Sequence, residues 1–140
     1  MADFFTWTAA ELGLGVQEMD REHQVLIAKM NELHSGYEQK LPASKLQALL
    51  ADLAQYTVKH FADEEAHMEK IKFSGLAAHK VIHQRLLAQV NDYSMEFQKT
   101  NTVNPALFNF LKVWLSGHIR GIDMRYAEHG RTKKTALFHC

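Results

Sequence analysis

Cysteine is almost missing from this chain. Only Cys140 occurs, at the last position, so no intrachain disulfide can form and no internal thiol is available as a nucleophile or a zinc ligand. Proline is scarce too, with Pro42 and Pro105 alone, and there are seven glycines in 140 residues. That poverty of breakers excludes loop-rich folds and leaves room for long regular elements. Net charge is absent, since Lys plus Arg and Asp plus Glu both total 16. A nucleic-acid partner or an anionic membrane surface is therefore not expected. No apolar run approaches the length of a membrane span, and the start, Met-Ala-Asp-Phe-Phe-Thr-Trp, lacks the basic flank and apolar core of a secretory signal. The expectation is a cytoplasmic protein with no membrane insertion. Glycine-rich phosphate loops, internal repeats and low-complexity stretches are also missing.

What the chain does have is 46 % hydrophobic residues, enough for one compact domain over 1–140, and nine histidines. Its apolar residues recur at helical rather than alternating spacing, which predicts an all-α fold. Four helices are expected. The first runs from about Asp20, as N-cap, to Gln39, with His23, Leu26, Ile27, Met30, Leu33 and Tyr37 on one face. The second follows Pro42, with Ser44 and Gln47 in capping-box spacing, and turns Leu46, Leu49, Leu50, Leu53, Tyr56, Thr57, His60, Phe61, Glu64, Met68 and Ile71 inward. The third follows Phe73-Ser74-Gly75, carries Leu76, His79, His83, Leu86, Leu87, Val90 and Phe97, and fades near Asn101. The fourth starts at Asn104-Pro105 and buries Leu107, Leu111, Trp114, Leu115, His118 and Ile122. Helices of this length with short connections favour an antiparallel up-down-up-down four-helix bundle over residues 19–128. Residues 1–18, with Phe4, Phe5 and Trp7, read as an arm over the bundle, and residues 129–140, with Arg131, Lys133 and Lys134, as a short tail.

The apolar stripes are interrupted by ionisable groups, and burying such a group without a partner costs several kcal/mol or neutralises it. His60 and Glu64 are four apart, as are His79 and His83, so each pair points at one spot and can chelate a metal. In an up-down-up-down bundle His23 (early), His60 and Glu64 (late), His79 and His83 (early) and His118 with Asp123 (late) come level at one end. Singly each is as well read as a structural histidine or a solvated helix pair; agreement in level and facing favours a site. His118 and Asp123 fit least easily, because five residues at helical pitch leave side chains about 140° apart. A π-bulged turn between Gly117 and Gly121 would bring them together; the alternative is that Asp123 pairs with Arg120 or Arg125 on the surface. His34, His67, His129 and His139 have no partner at ligand spacing and are read as face, near-site or tail residues.

The pattern His23, His60-x-x-x-Glu64, His79-x-x-x-His83 and His118-x-x-x-x-Asp123 resembles the metal-ligand signature of the hemerythrin family, specifically its single-domain bacterial members, over nearly the whole chain. Gly15-Val16, Met19-Asp20, Phe61, Trp114-Leu115 and Ile119 agree as well. The resemblance implies two iron ions with a bridging oxo or hydroxo group: His79, His83 and His118 on one, His23 and His60 on the other, Glu64 and Asp123 bridging. Those donors fall one short of two octahedral irons, which leaves a vacancy on the two-histidine iron. It further implies reversible binding of dioxygen there, for storage, delivery or scavenging, with no catalytic turnover and with an oxygen-consuming enzyme as the protein partner in the delivery case. Phe61, Trp114, Leu115 and Ile119 would line the dioxygen pocket, though each is equally well read as ordinary core. Two alternatives stand beside this reading. One is an oxygen or redox sensor acting through a partner protein. The other is a ferritin-like di-iron oxidase, disfavoured because Glu64-x-x-His67 is the sole Glu-x-x-His match and five imidazoles suit a retrievable ferrous pair.

Overall fold

The structure, a computed structural model, describes residues 5–8 and 12–130. Among them are helices α1 (Gln17–Glu38), α2 (Ala43–Lys70), α3 (Leu76–Thr100) and α4 (Ala106–His118), and no strand. The chain then passes through a π-helical segment, Ile119–Asp123, and residues 124–130 are α-helical again. The helices form an antiparallel four-helix bundle, with α2 packed between α1 and α3. Apolar residues at helical spacing meet along its axis, among them Leu26, Met30 and Leu33 from α1, Leu50 and Leu53 from α2, Val90 and Phe97 from α3, and Leu107, Leu111 and Leu115 from α4.

Helix ends differ from the sequence expectation in instructive ways. α1 starts four residues early, with Val16 rather than Asp20 as N-cap and Gln17 as the first helical residue, so Asp20 lies inside the first turn. Its carboxylate reaches back to accept the Leu14 and Gly15 N–H groups at 2.8 and 3.2 Å. Asp20 thus pins the incoming chain, where Gly15 (φ 79°) makes the turn, and still offers negative charge to the helix N-terminus. The expected capping box of Ser44 and Gln47 does not form: α2 begins at Ala43, and the Pro42 carbonyl accepts from Lys45 and Leu46. With Pro42 holding φ at −56°, the helix is already under way at Ser44. Asn104 accepts the Ala106 N–H at 3.0 Å, as its place before Pro105 suggested.

Both α1 and α2 stop on a left-handed lysine. Lys40 (φ 58°) is followed by Leu41 N–H to Gly36 C=O, and Lys72 (φ 56°) by Phe73 N–H to Met68 C=O, each the long bond of a Schellman turn. At the first turn Gly36 lets Leu41 close on the helix, since a Cβ there would lie 3.0 Å from the Leu41 side chain. These compact reversals keep neighbouring helices antiparallel and bring the end of α2 level with the start of α3.

The N-terminal segment is more than an overlay. Phe5, Leu12 and Leu14 are buried in the core, and Asn31 on α1 clamps Phe5 through both backbone groups at 2.8 and 2.7 Å. The arm boundary at residue 18 moves to 16, and helix continues through residue 130 rather than ending at 128. Phe4 and the tail residues Arg131, Lys133, Lys134, His139 and Cys140 lie outside the described residues. Ile122, expected inside, is half-buried, because the π segment turns it toward the rim. No helix among the described residues is long and apolar enough to cross a membrane.

Candidate metal centre

At the end of the bundle where α2 finishes and α3 starts, the apolar core gives way to seven buried polar side chains. These are His23 from α1, His60 and Glu64 from α2, His79 and His83 from α3, His118 from the end of α4, and Asp123 from the π segment. None is more than 5 % exposed, and Glu64, His23 and Asp123 are wholly buried. All seven residues that helical spacing places level at one end of the bundle meet there.

The five-residue step from His118 to Asp123 is bridged by the π segment. A π turn takes in one more residue than an α turn, so the carboxylate swings back over His118, and its Oδ1 lies 3.0 Å from His118 Nε2. The surface alternative is excluded by burial: Asp123 faces histidines, not Arg120 or Arg125. Gly117 and Gly121 present no neighbour within 4 Å of an added Cβ, so neither is required by close packing.

The two carboxylates divide their oxygens. Glu64 Oε1 lies 3.1 Å from His79 Nε2 and 2.9 Å from His83 Nε2, whereas Oε2 lies 3.6 Å from His23 Nε2 and 3.5 Å from His60 Nε2. Asp123 repeats the division, with Oδ1 3.0 Å from both His79 and His118 and Oδ2 3.2 Å from His23. Two overlapping donor groups result, Glu64-His79-His83-His118-Asp123 and His23-His60-Glu64-Asp123. Within each, the donor atoms all lie within 4.8 Å of one another.

Several of these donors have nothing to bond. His23 Nε2, His60 Nε2, His118 Nε2 and both Asp123 oxygens are buried with no hydrogen-bond partner, their short contacts lying off the line that a hydrogen bond needs. Buried polar atoms are rarely left so, and five together ask for a common partner that accepts lone pairs from nitrogen and oxygen alike. A pair of transition-metal cations meets that need; imidazole-rich sets with carboxylate suit iron, zinc or copper.

The electrostatics point the same way. Burial pulls His60 toward its neutral form, but Glu22 and Glu64 outweigh it and lift it to about 9. Burial acts likewise on His118, where Asp123 and Glu64 lift it to about 9. His23 and His79 are raised against burial by Asp123 and Glu64. Burial would raise Glu64, yet the imidazoles of His118, His23, His60 and His79 hold it well below the usual range. Burial and Glu64 would both raise Asp123, and His118, His23 and His79 hold it at about 2. Two buried carboxylates this close both stay ionised only where positive charge surrounds them. Protons on the histidines supply it without metal; a cation pair would replace them.

Three residues that the sequence did not single out complete the cluster. Glu22 Oε1 accepts from His60 Nδ1 at 2.7 Å, Glu65 Oε2 from His83 Nδ1 at 2.8 Å, and the Tyr126 hydroxyl donates to Glu64 Oε2 at 2.9 Å. Glu22 and Glu65 directly precede or follow site residues, yet their partners lie on other helices, so only packing shows the contact. Around the nitrogens Phe61 stacks on His83 with ring centres 3.7 Å apart and planes 4° off parallel. Trp114 meets Phe61 edge-on at 5.8 Å and approaches His118 at 6.2 Å. Phe61 and Trp114 therefore crowd the three-histidine side. Leu115 and Ile119 are 1 % and 0 % exposed. His67 stays outside the cluster, edge-on to Tyr126; His34 sits against Phe108 and Glu38, and His129 bonds the Ile71 carbonyl.

Comparison with known proteins agrees with this geometry. The family model "Hemerythrin HHE cation binding domain" matches residues 14–129. A bacteriohemerythrin of Pseudomonas aeruginosa (strain LESB58) is 32 % identical over 127 residues, covering 91 % of this chain and 82 % of that protein. The myohemerythrin of Riftia pachyptila is 40 % identical over 111 residues, covering 77 % and 79 %. A crystal structure of wild-type hemerythrin superposes with a TM-score of 0.82 at 33 % identity, over 89 % of this chain and 95 % of that one. The fold, the buried histidine and carboxylate cluster and these likenesses agree along nearly the whole described chain, which belongs to the hemerythrin family.

Proposed function

We propose that this protein binds dioxygen reversibly at a non-haem di-iron centre, as a carrier rather than a catalyst. The observation that carries the reading is the division of the carboxylate oxygens, Oε1 and Oδ1 toward three histidines, Oε2 and Oδ2 toward the others. On this reading His79, His83 and His118 would hold one iron, His23 and His60 the second, and Glu64 and Asp123 would serve both. With fewer imidazoles on the two-histidine side, that is where a small ligand would find room. When bound, the iron pair supplies the electrons that dioxygen capture requires.

The chain's own residues do the rest. Phe61, Leu115 and Ile119 belong to the buried apolar core and keep water from donors held at fixed distances. Five neutral imidazoles against two carboxylates favour ferrous over ferric iron, which a reversible carrier needs. An oxidase of the ferritin-like kind would draw on Glu-x-x-His pairs, and His67, the histidine of the sole such pair, is not among the clustered donors. Residues 1–140 are read as one hemerythrin-like domain, a reading supported by the family match over 14–129.

The test is an iron count joined to an oxygenation spectrum. Close to two irons per chain, with a visible band that appears under oxygen and vanishes under vacuum, is the expected result. One iron per chain, or a reduced spectrum that does not return when oxygen is removed, would overturn the proposal.

A further inference from the structure

The two donor groups are not supported alike from behind. On the three-histidine side Glu65 backs His83. On the two-histidine side Glu22 backs His60 at 2.7 Å, while His23 Nδ1 is buried with no partner. His60 is thus the one imidazole of that group, among the described residues, with a carboxylate behind it. A second contact falls on the same side. Tyr126 donates to Glu64 Oε2, the oxygen turned toward His23 and His60, and leaves Oε1 to the other group.

These contacts act in opposite senses. A carboxylate accepting from Nδ1–H pushes electron density into the ring and makes Nε2 a stronger donor. A hydroxyl donating to a carboxylate oxygen takes a share of its lone pair and makes that oxygen a weaker one. Glu22 Oε2 in turn lies 3.8 Å from Lys59 Nζ, which pairs more closely with Asp63 at 2.7 Å.

We infer that Glu22 and Tyr126 are positioning residues that set electron density at the two-histidine metal position from opposite sides, Glu22 raising it through His60 and Tyr126 lowering it through Glu64 Oε2. The inference rests on the di-metal reading above and adds to it that the position with fewer imidazoles is adjusted separately from its neighbour. Too little donation would lose the metal, and too much would favour the ferric state.

Titration of the metal-free full chain with Co2+, followed by its visible absorption, reads the two positions without any oxygen chemistry. Azide added afterwards perturbs the ion that has a vacant position and so marks the two-histidine site. In Glu22→Gln binding of the azide-sensitive ion should weaken roughly 10-fold, the usual size of such an effect, with the other ion unchanged. In Tyr126→Phe the azide-sensitive ion should bind more tightly, and in Glu65→Gln the other ion should weaken instead. With iron, Glu22→Gln should raise the midpoint potential and Tyr126→Phe lower it. Should Glu22→Gln fail to fold, Glu22→Asp, which keeps the charge at a longer reach, must weaken the same ion to a smaller extent. Equal effects on both ions, or shifts of one sign in Glu22→Gln and Tyr126→Phe, would overturn the inference while leaving the di-metal reading intact. Fewer than two Co2+ per parent chain would overturn the di-metal reading itself, and the inference with it.

Discussion

At the scale of single residues, the candidate centre is a set of groups that burial alone would neutralise and that hold their charge only through one another. Glu64 contributes an oxygen to each donor group, so Glu64→Ala should abolish binding of both metals, whereas His118→Ala should leave fewer than two per chain. Metal analysis after dialysis checks both. The metal-free protein should also show a characteristic pH response. His60 and His118 are raised to about 9 from 6.5, so their contribution to stability is complete below pH 6.5 and is lost as pH rises through 9. Asp123, lowered to about 2 from 3.8, contributes above 3.8 and loses that as pH falls through 2. Thermal unfolding of the metal-free chain should therefore peak between about pH 4 and 6.5 and decline toward pH 9. An alkaline rise in Tm would contradict the assignment of charge. The same histidines must shed protons to bind metal, so affinity for Co2+ should climb over that range.

At the scale of elements, the spacings inside helices were open to sequence reasoning and the joints between them were not. His60 with Glu64 and His79 with His83 share a face by helical pitch alone. The junction of α4 with the π segment was legible as a problem, five residues where four would align, and the structure resolves it with one widened turn. Caps are less legible in the spacing. Ser44 and Asp20 both have the right chemistry for an N-cap, but Pro42 and the turn at Gly15 start the helices earlier, and the choice among neighbouring starts depends on how the connection packs. The left-handed lysines are a testable case: Lys40→Gly and Lys72→Gly should each stabilise the protein by about 1 kcal/mol, because glycine adopts this conformation without the Cβ penalty. Denaturant midpoints at unchanged metal content are the check. On α4, Leu115→Ala should cost about 3 kcal/mol by leaving a cavity beside the site. Retained metal with faster loss of the oxygenated spectrum is the expected companion result; loss of metal would mean that Leu115 also holds His118 in place.

At the scale of the whole molecule, folding and metal binding are coupled. The bundle brings seven polar side chains into its interior at a cost that the apolar core must carry, and cations that bind the folded chain and not the unfolded one stabilise it by mass action. At a hundredfold excess over Kd the gain is about 2.7 kcal/mol per site, so calorimetry should show Tm rising with each equivalent of Co2+ and returning when a chelator is added. A Tm indifferent to metal would count against a buried site. What the amino-acid sequence determined by itself was periodic: helix number, the faces that are apolar, and the ionisable groups placed on those faces, because pitch is a local property of the backbone. Only the tertiary structure decided which oxygen of Glu64 and Asp123 faces which histidines, and that Glu22, Glu65 and Tyr126 stand behind them. Those contacts join residues far apart in the chain, and their geometry depends on the axial offset of one helix against the next, which packing sets and spacing does not encode.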